Sequence, residues 1–455
     1  MTRDLTRGNP LKQMILFALP VLLGNLFQQM YNMVDTIIVG RYLGEHAMAA
    51  VGATGSVNFF ILGFVQGTTS GFAIRTAQAF GAGDHREVKR SVRCCLFLSI
   101  MLAVVMTSLS VPLLPSLMRL LKTPGDLIDN ATLYIQTICG GMFSAIFYNM
   151  IAGILRALGD SRTPLIFLII SALLNVALDI AFIALLGMGV EGAALATVVA
   201  QSTSALLCLL YGLRHCEYLH TGSERGQIPH GMYREHLAVG LPMGLQFSVT
   251  AIGSMMLQSA FNSFGTAGAT AYVVACKVES LTMQPGQALA VTMSNYMGQN
   301  LGAKRYDRIS RGIRCGMLIA VVITLAAVTV NLCLGEGLMS LFFAGKMTAQ
   351  VRDWAMLYLK ITSVFFIFLS GIFVFRNSMQ GLGEKAVPMM GGVLELIARV
   401  GVCAVLPGII GYVGACLAPC AAWISACVLN AVFYFRMEKR WRKCGWLKGA
   451  MQHDA

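Results

Sequence analysis

The second half of this chain repeats the first, in the same direction and at a nearly constant spacing. "FGAGDHREVKRSVRC" (80–94) returns as "LGAKRYDRISRGIRC" (301–315): Gly81, Ala82, Arg90, Arg93 and Cys94 become Gly302, Ala303, Arg311, Arg314 and Cys315, an offset of 221 residues. "LRALGDSRTP" (155–164) returns as "MQGLGEKAVP" (379–388) at 224, and "GVEGAALA" (189–196) as "GYVGACLA" (411–418) at 222. Two like halves fold into two like lobes. When both are apolar, this is the organisation of membrane proteins whose lobes rock about a central cavity.

Both halves are apolar. Charged residues make up 12% of the chain and hydrophobic ones 56%, against roughly a quarter charged in a soluble protein. Apolar stretches of about 20 residues, long enough to cross a bilayer as helices, recur along the whole length. The sequence places twelve spans at about 14–38, 51–74, 95–117, 132–154, 165–187, 191–213, 236–260, 269–297, 316–336, 354–376, 387–409 and 414–435. The fold class expected is an all-α integral membrane protein with two parallel-repeat six-helix bundles. An amino-terminal lobe (1–214) leads through a polar linker (215–235) to a carboxy-terminal lobe (236–440) and a tail (441–455).

The net charge of +13 is placed unevenly. Arg3, Arg7 and Lys12, Arg86 to Arg93, Lys304 to Arg314 and Arg436 to Lys443 fall on one side if the spans alternate, while Arg41, Arg119, Lys122, Lys346 and Arg352 fall on the other. This positive-inside pattern puts both termini in the cytoplasm of a multi-pass cell-membrane protein. Basic loops facing anionic headgroups account for the charge, with no nucleic-acid partner. The thirteen cysteines are scattered, with no CxxC and no metal spacing, and read as small packing residues. There is no P-loop, HExxH or GxSxG, so an enzyme is not expected.

Ionisable residues inside the spans are costly and mark ion or substrate paths. Asp35 lies in span one, Asp179 in span five, Lys277 and Glu279 in span eight and Arg399 in span eleven. Asn175 and Asp179 are four apart and share one helix face. If spans one, five and six meet, Asp35, Asn175, Asp179 and Thr197 form an all-oxygen cluster. Such a cluster suits a hard cation such as Na⁺, in which case these four are metal ligands, or it holds a proton shared by the two acids. The repeat puts Leu257, Arg399 and Cys403 where the first lobe has Asp35, Asn175 and Asp179, so the lobes share architecture but not chemistry. Arg399 needs an acidic partner, and Glu279 is the expected one. Gln28, Asn149, Glu279 and Arg399 are the expected substrate-cavity residues. Pro285 is a candidate hinge within span eight.

"LPVLLGNLFQQMYNMVDTIIVGRYLG", "FGAGDHREVKR", "GQNLGAKRYDRI", "RALGDSRTPL" and "LNVALDIAFI" together resemble the multidrug and toxic compound extrusion family, of bacterial type, over essentially the whole chain. The resemblance implies a V-shaped pair of six-helix bundles and antiport of Na⁺ or H⁺ against bulky, often cationic organic compounds by alternating access. It implies no cofactor and, for a single chain holding both lobes, a monomer. The family's amino-terminal cation site falls on Asp35, Asn175, Asp179 and Thr197, and Gln28 matches a polar cavity position. Partners are then drug-like organic molecules and membrane lipid. The alternative within the same fold is a flippase of lipid-linked or other amphiphilic substrates, which favours a strongly positive cavity.

Overall fold

A computed structural model describes residues 3–120, 123–220, 228–340 and 347–447. Lys122, Lys346, the middle of the expected linker and the end of the expected tail lie outside them. The described residues form helices α1 (Pro10–Ala53), α2 (Gly55–Gly81), α3 (His85–Leu120), α4 (Ile128–Gly140), α5 (Met142–Ala157), α6 (Arg162–Asp179) and α7 (Val190–His215) in the first half. The second half supplies α8 (His230–Asn262), α9 (Gly265–Thr282), α10 (Gln284–Gly302), α11 (Tyr306–Cys333), α12 (Gly335–Ser340), α13 (Ala349–Gly381), α14 (Ala386–Ile410) and α15 (Tyr412–Lys443). The protein is an all-α, multi-pass membrane protein.

Ten helices among the described residues, α6 counted with the turn that follows it to Leu185, are long and apolar enough to cross a membrane, and α4 with α5, bent by 46°, makes up to an eleventh span if the pair crosses as one. The expected span 269–297 is two helices broken at Met283, with Pro285 in the first turn of α10. Proline is tolerated in a first turn because the missing N–H has no intrahelical acceptor there. Pro285 therefore opens a helix and does not kink one. Lys277 and Glu279 on α9 hold down the hydropathy of this stretch. The apolar faces turn outward: α14 has a mean hydropathy of 2.1 over its span, yet only 11% of that span is buried. In water such surfaces would drive aggregation; in lipid they are satisfied.

The chain divides into two compact units. Unit 1 holds Met1–Asp4 and Leu23–Gly244, and unit 2 holds Leu5–Leu22 and Leu245–Ala455. Helices α1 and α8 each change unit along their length, shortly after the matched prolines Pro20 and Pro242. Inside unit 1, the first half of α8 packs closely against α2: a Cβ on Gly71 would come within 2.5 Å of the Gly240 Cα. Small residues at such crossings let backbones touch without a side chain between them.

Helix α5 lies against α2, α3 and α7 in unit 1, and α13 lies against α9, α10, α11 and α15 in unit 2. The repeat matches these two hubs, and each ends in a left-handed glycine, Gly159 at φ 86° and Gly383 at φ 79°. After Gly159, Asp160 caps α6: its Oδ1 accepts from the Arg162 and Thr163 N–H groups, both at 3.0 Å, and its Oδ2 from the Thr163 hydroxyl at 2.6 Å. This bond set fixes where α6, the carrier of Asn175 and Asp179, begins.

Candidate functional site

Helix α6 ends at Asp179 and continues as a π-helical turn, Ile180–Leu185. Such turns interrupt the α ladder and are frequent at functional sites. Asn175 and Asp179 sit on the inward face of α6, 1% and 0% exposed. The Asn175 amide donates to Thr197 Oγ1 at 3.3 Å, and the Tyr31 hydroxyl donates to the same oxygen at 3.2 Å. Thr197 in turn donates to the Ala193 carbonyl at 3.1 Å. Its hydroxyl is therefore fully used, which fixes both Asn175 and Tyr31.

Asp35 lies one turn beyond Tyr31 on α1, 8% exposed, and its carboxyl meets that of Asp179 at hydrogen-bonding distance. Asp35 Oδ1 is buried and accepts no hydrogen bond from the described residues. Two carboxylates have no hydrogen to share, so their contact requires either a proton or a cation between them. Tyr134 on α4 is buried within electrostatic reach of both acids. Around the cluster lies an apolar shell that includes Ile38, Val39, Ile138, Ile183 and Val190. A low-dielectric wall of this kind strengthens any charge interaction inside it.

The structure thus brings Asp35, Asn175, Asp179 and Thr197 together. Tyr31 and Tyr134 join them, two residues that no sequence pattern singles out as ligands. Tyr31 carried a signal, since it is four residues before Asp35 on a helix; Tyr134 carried none. Gln28 lies two turns before Asp35 and is exposed. The Asn149 amide donates to the Ala145 carbonyl of its own helix at 2.8 Å.

In unit 2, no ion pair joins Glu279 to Arg399 among the described residues. Helix α9 packs on α13, and α14 packs mainly on α15. Glu279 accordingly meets the Tyr358 hydroxyl of α13, with Arg399 further off, and the Arg399 guanidinium lies against Gly253 of α8. Lys277, expected inside the lobe, is exposed on the other face of α9. A largely buried ion pair among the described residues of this unit joins Arg376 to Glu395, 3.7 Å apart and 16% and 6% exposed. One turn after Arg376 on α13, the Gln380 amide donates to Gln246 Oε1 at 2.8 Å. Glu395 stood inside an apolar run, the same signal that marked Arg399.

The model of the MatE family matches residues 20–181 and again 242–405, one copy in each half. The chain belongs to the MatE family. Among curated relatives, a probable multidrug resistance protein of Bacillus subtilis, YpnP, is 30% identical over 67% of this chain and 68% of its own length. The probable multidrug resistance protein NorM of Thermotoga maritima is 26% identical over 95% of this chain and 93% of its own. Among solved structures, an outward-facing multidrug resistance MATE family transporter of the MOP superfamily superposes with a TM-score of 0.89. It is 24% identical, and the match covers 97% of this chain and 99% of that one. A MOP superfamily transporter from Pyrococcus furiosus, described as having a binding pocket of reverse polarity, gives 0.90 at 24% identity, covering 96% and 98%. At that identity these structures establish the shared fold.

Proposed function

We propose that this chain is a secondary active efflux transporter. It exchanges Na⁺ or H⁺ for bulky, often cationic organic compounds by alternating access, with both termini in the cytoplasm and one chain as the working unit. The observation that carries this reading is the contact between Asp35 and Asp179, enclosed by apolar walls. A buried acid pair is expensive in a membrane, and its use is to take up and release positive charge. The donor set suits either ion: the two carboxylates with the amide oxygen of Asn175, whose amide nitrogen Thr197 holds in place, suit Na⁺, and the carboxyl pair alone suits a proton; Thr197 would ligate Na⁺ only by giving up one of its present hydrogen bonds.

In this mechanism the cation enters from outside and neutralises the pair. Asp35 and Tyr31 lie on α1, so the charge change is felt by a helix whose first residues, up to Leu22, belong to unit 2. Loading therefore favours one arrangement of α1 and unloading another, and substrate is released in the first and captured in the second. The flippase reading would need surplus buried positive charge. In unit 2, Glu395 meets Arg376 and Glu279 lies within reach of Arg399, which argues against it.

The experiment is ethidium efflux from proteoliposomes under Na⁺ and H⁺ gradients imposed separately, with Asp179→Asn alongside. Efflux driven by one gradient and abolished in the variant is expected, and the active gradient names the ion. Efflux at the wild-type rate in Asp179→Asn would end the assignment.

A further inference from the structure

The repeat builds the region of the acid pair a second time, inside unit 2, with different residues. At the offsets of the repeat, Tyr31, Asp35 and Thr197 become Gly253, Leu257 and Pro419, and Asn175 and Asp179 become Arg399 and Cys403. The tyrosine of α4 is kept: "ATLYIQTI" (131–138) returns as "AMLYLKIT" (355–362), which puts Tyr358 where unit 1 has Tyr134. Tyr134 lies within electrostatic reach of Asp35 and Asp179, and the Tyr358 hydroxyl meets Glu279, which comes from α9. In unit 2 both acids are thus absent from their positions, another helix supplies one acid, and an arginine stands where unit 1 has an amide.

A second change makes room for that arginine. A Cβ on Gly253 would come within 2.9 Å of Arg399 Nη1, so the guanidinium takes space that a side chain at this position, such as the tyrosine of unit 1, would fill. Arg399 is 7% exposed, and its Nε is buried without an acceptor among the described residues. Glu279 lies within its electrostatic reach, and one carboxyl oxygen of Glu279, Oε2, is likewise buried without a donor. A low-dielectric interior carries a charge to an acid that it does not touch. Around Asp35 and Asp179, by contrast, no basic side chain acts on the acids among the described residues.

We propose that Arg399 is the resident cation of unit 2: its guanidinium supplies the positive charge that an exchangeable ion brings to unit 1, balances Glu279 permanently and so confines ion exchange to Asp35 and Asp179. The last clause rests on the exchange reading of that pair; the rest does not. Truncating Arg399 then opens a latent site for a monovalent cation beside Glu279 and Tyr358, with the size and shape of a guanidinium ion.

Thermal unfolding of the purified full chain with millimolar guanidinium chloride, against choline chloride at equal concentration, tests it. Every chain compared also carries Asp35→Asn and Asp179→Asn, which removes binding in unit 1, so the result does not depend on what that pair exchanges. With Arg399 in place, guanidinium is expected to act as choline does. With Arg399→Ala it raises the unfolding temperature saturably, by about 2–4 °C at roughly five times its half-saturating concentration, and Glu279→Gln added to Arg399→Ala abolishes the rise. Na⁺ or protons compete with it severalfold, because the emptied site admits an exchangeable ion; an arginine that is only a strut leaves no such site. The proposal is overturned if Arg399→Ala gives no rise, if the rise survives Glu279→Gln, if the chain with Arg399 responds equally, or if neither Na⁺ nor protons compete. Should Arg399→Ala not insert, Glu279→Gln decides alone: it leaves Arg399 without its counter-charge and lowers the unfolding temperature, and an unchanged or higher temperature overturns the proposal.

Discussion

Replacing either acid of the buried pair with its amide should separate function from stability. Asp35→Asn and Asp179→Asn keep the shape of the side chain and remove one charge. A cation held about 4 Å from a carboxylate gains about 4 kcal/mol from it at an effective dielectric near 20. The amide oxygen retains part of this as a dipole, so a net loss of about 2–3 kcal/mol is expected, roughly a 100-fold rise in the ion concentration for half-maximal efflux. If both acids serve one ion, the double variant is barely worse than either single one, because the second change acts on a site already lost. Stability moves the other way. Each variant removes a charge that costs about 2.5–3.5 kcal/mol to place at mid-membrane. A net gain near 1 kcal/mol raises the unfolding temperature by roughly 2–4 °C for a unit of this size. The assays are efflux against a titrated ion gradient and thermal unfolding of the purified protein. Two results refute the reasoning: an unchanged half-maximal concentration, or amide variants that unfold earlier than the wild type, which would make the pair a structural strut.

Other outcomes follow from particular contacts. Thr197→Ala leaves the Tyr31 hydroxyl and the Asn175 amide without their shared acceptor. It should lower stability by about 1–3 kcal/mol and impair efflux, whereas Thr197→Ser should restore both, as read by unfolding and transport together. Arg308 donates to the carbonyls of Leu5, Arg7 and Gly8 at 3.1, 3.2 and 2.8 Å and to Asn300 Oδ1 at 3.1 Å. Arg308→Ala should therefore release the amino-terminal segment, seen as faster proteolysis ahead of Pro10, and Arg308→Lys should not rescue it because an ammonium lacks the fork. Glu395→Gln should destabilise by about 3–5 kcal/mol by leaving Arg376 buried without its counter-charge, and adding Arg376→Met should recover most of that loss in a double-mutant cycle of unfolding.

Much of the fold was legible because lipid imposes one rule: backbone groups must bond within the segment, so long apolar runs are helices. What periodicity and hydropathy missed were the interruptions. Gly141 and Met283 break spans four and eight, and neither the bend nor the break changes composition enough to be seen. The site was half legible. Asn175 and Asp179 are paired by helix periodicity, and Asp35 by being an acid in an apolar run. Tyr134 was invisible, since a tyrosine in a span is ordinary until something places it beside two acids. The Glu279 and Arg399 expectation is met only in part: the two lie within electrostatic reach but form no ion pair among the described residues, because charge balance says that each needs a partner, but not which helices are neighbours.

The sequence by itself therefore determined the membrane location, the helical content and the tandem of two like halves, because these depend on local hydropathy and on similarity between segments. It also determined which acids had to be explained, since an ionisable group in an apolar run is costly wherever the run packs. Tertiary structure alone decided that Asp35 touches Asp179, that Thr197 is tied between Asn175 and Tyr31, and that Arg376 answers Glu395. It also decided that α1 and α8 each divide between two units. All four depend on distances between residues far apart in the chain, and those are set by how helices cross, which no local pattern records.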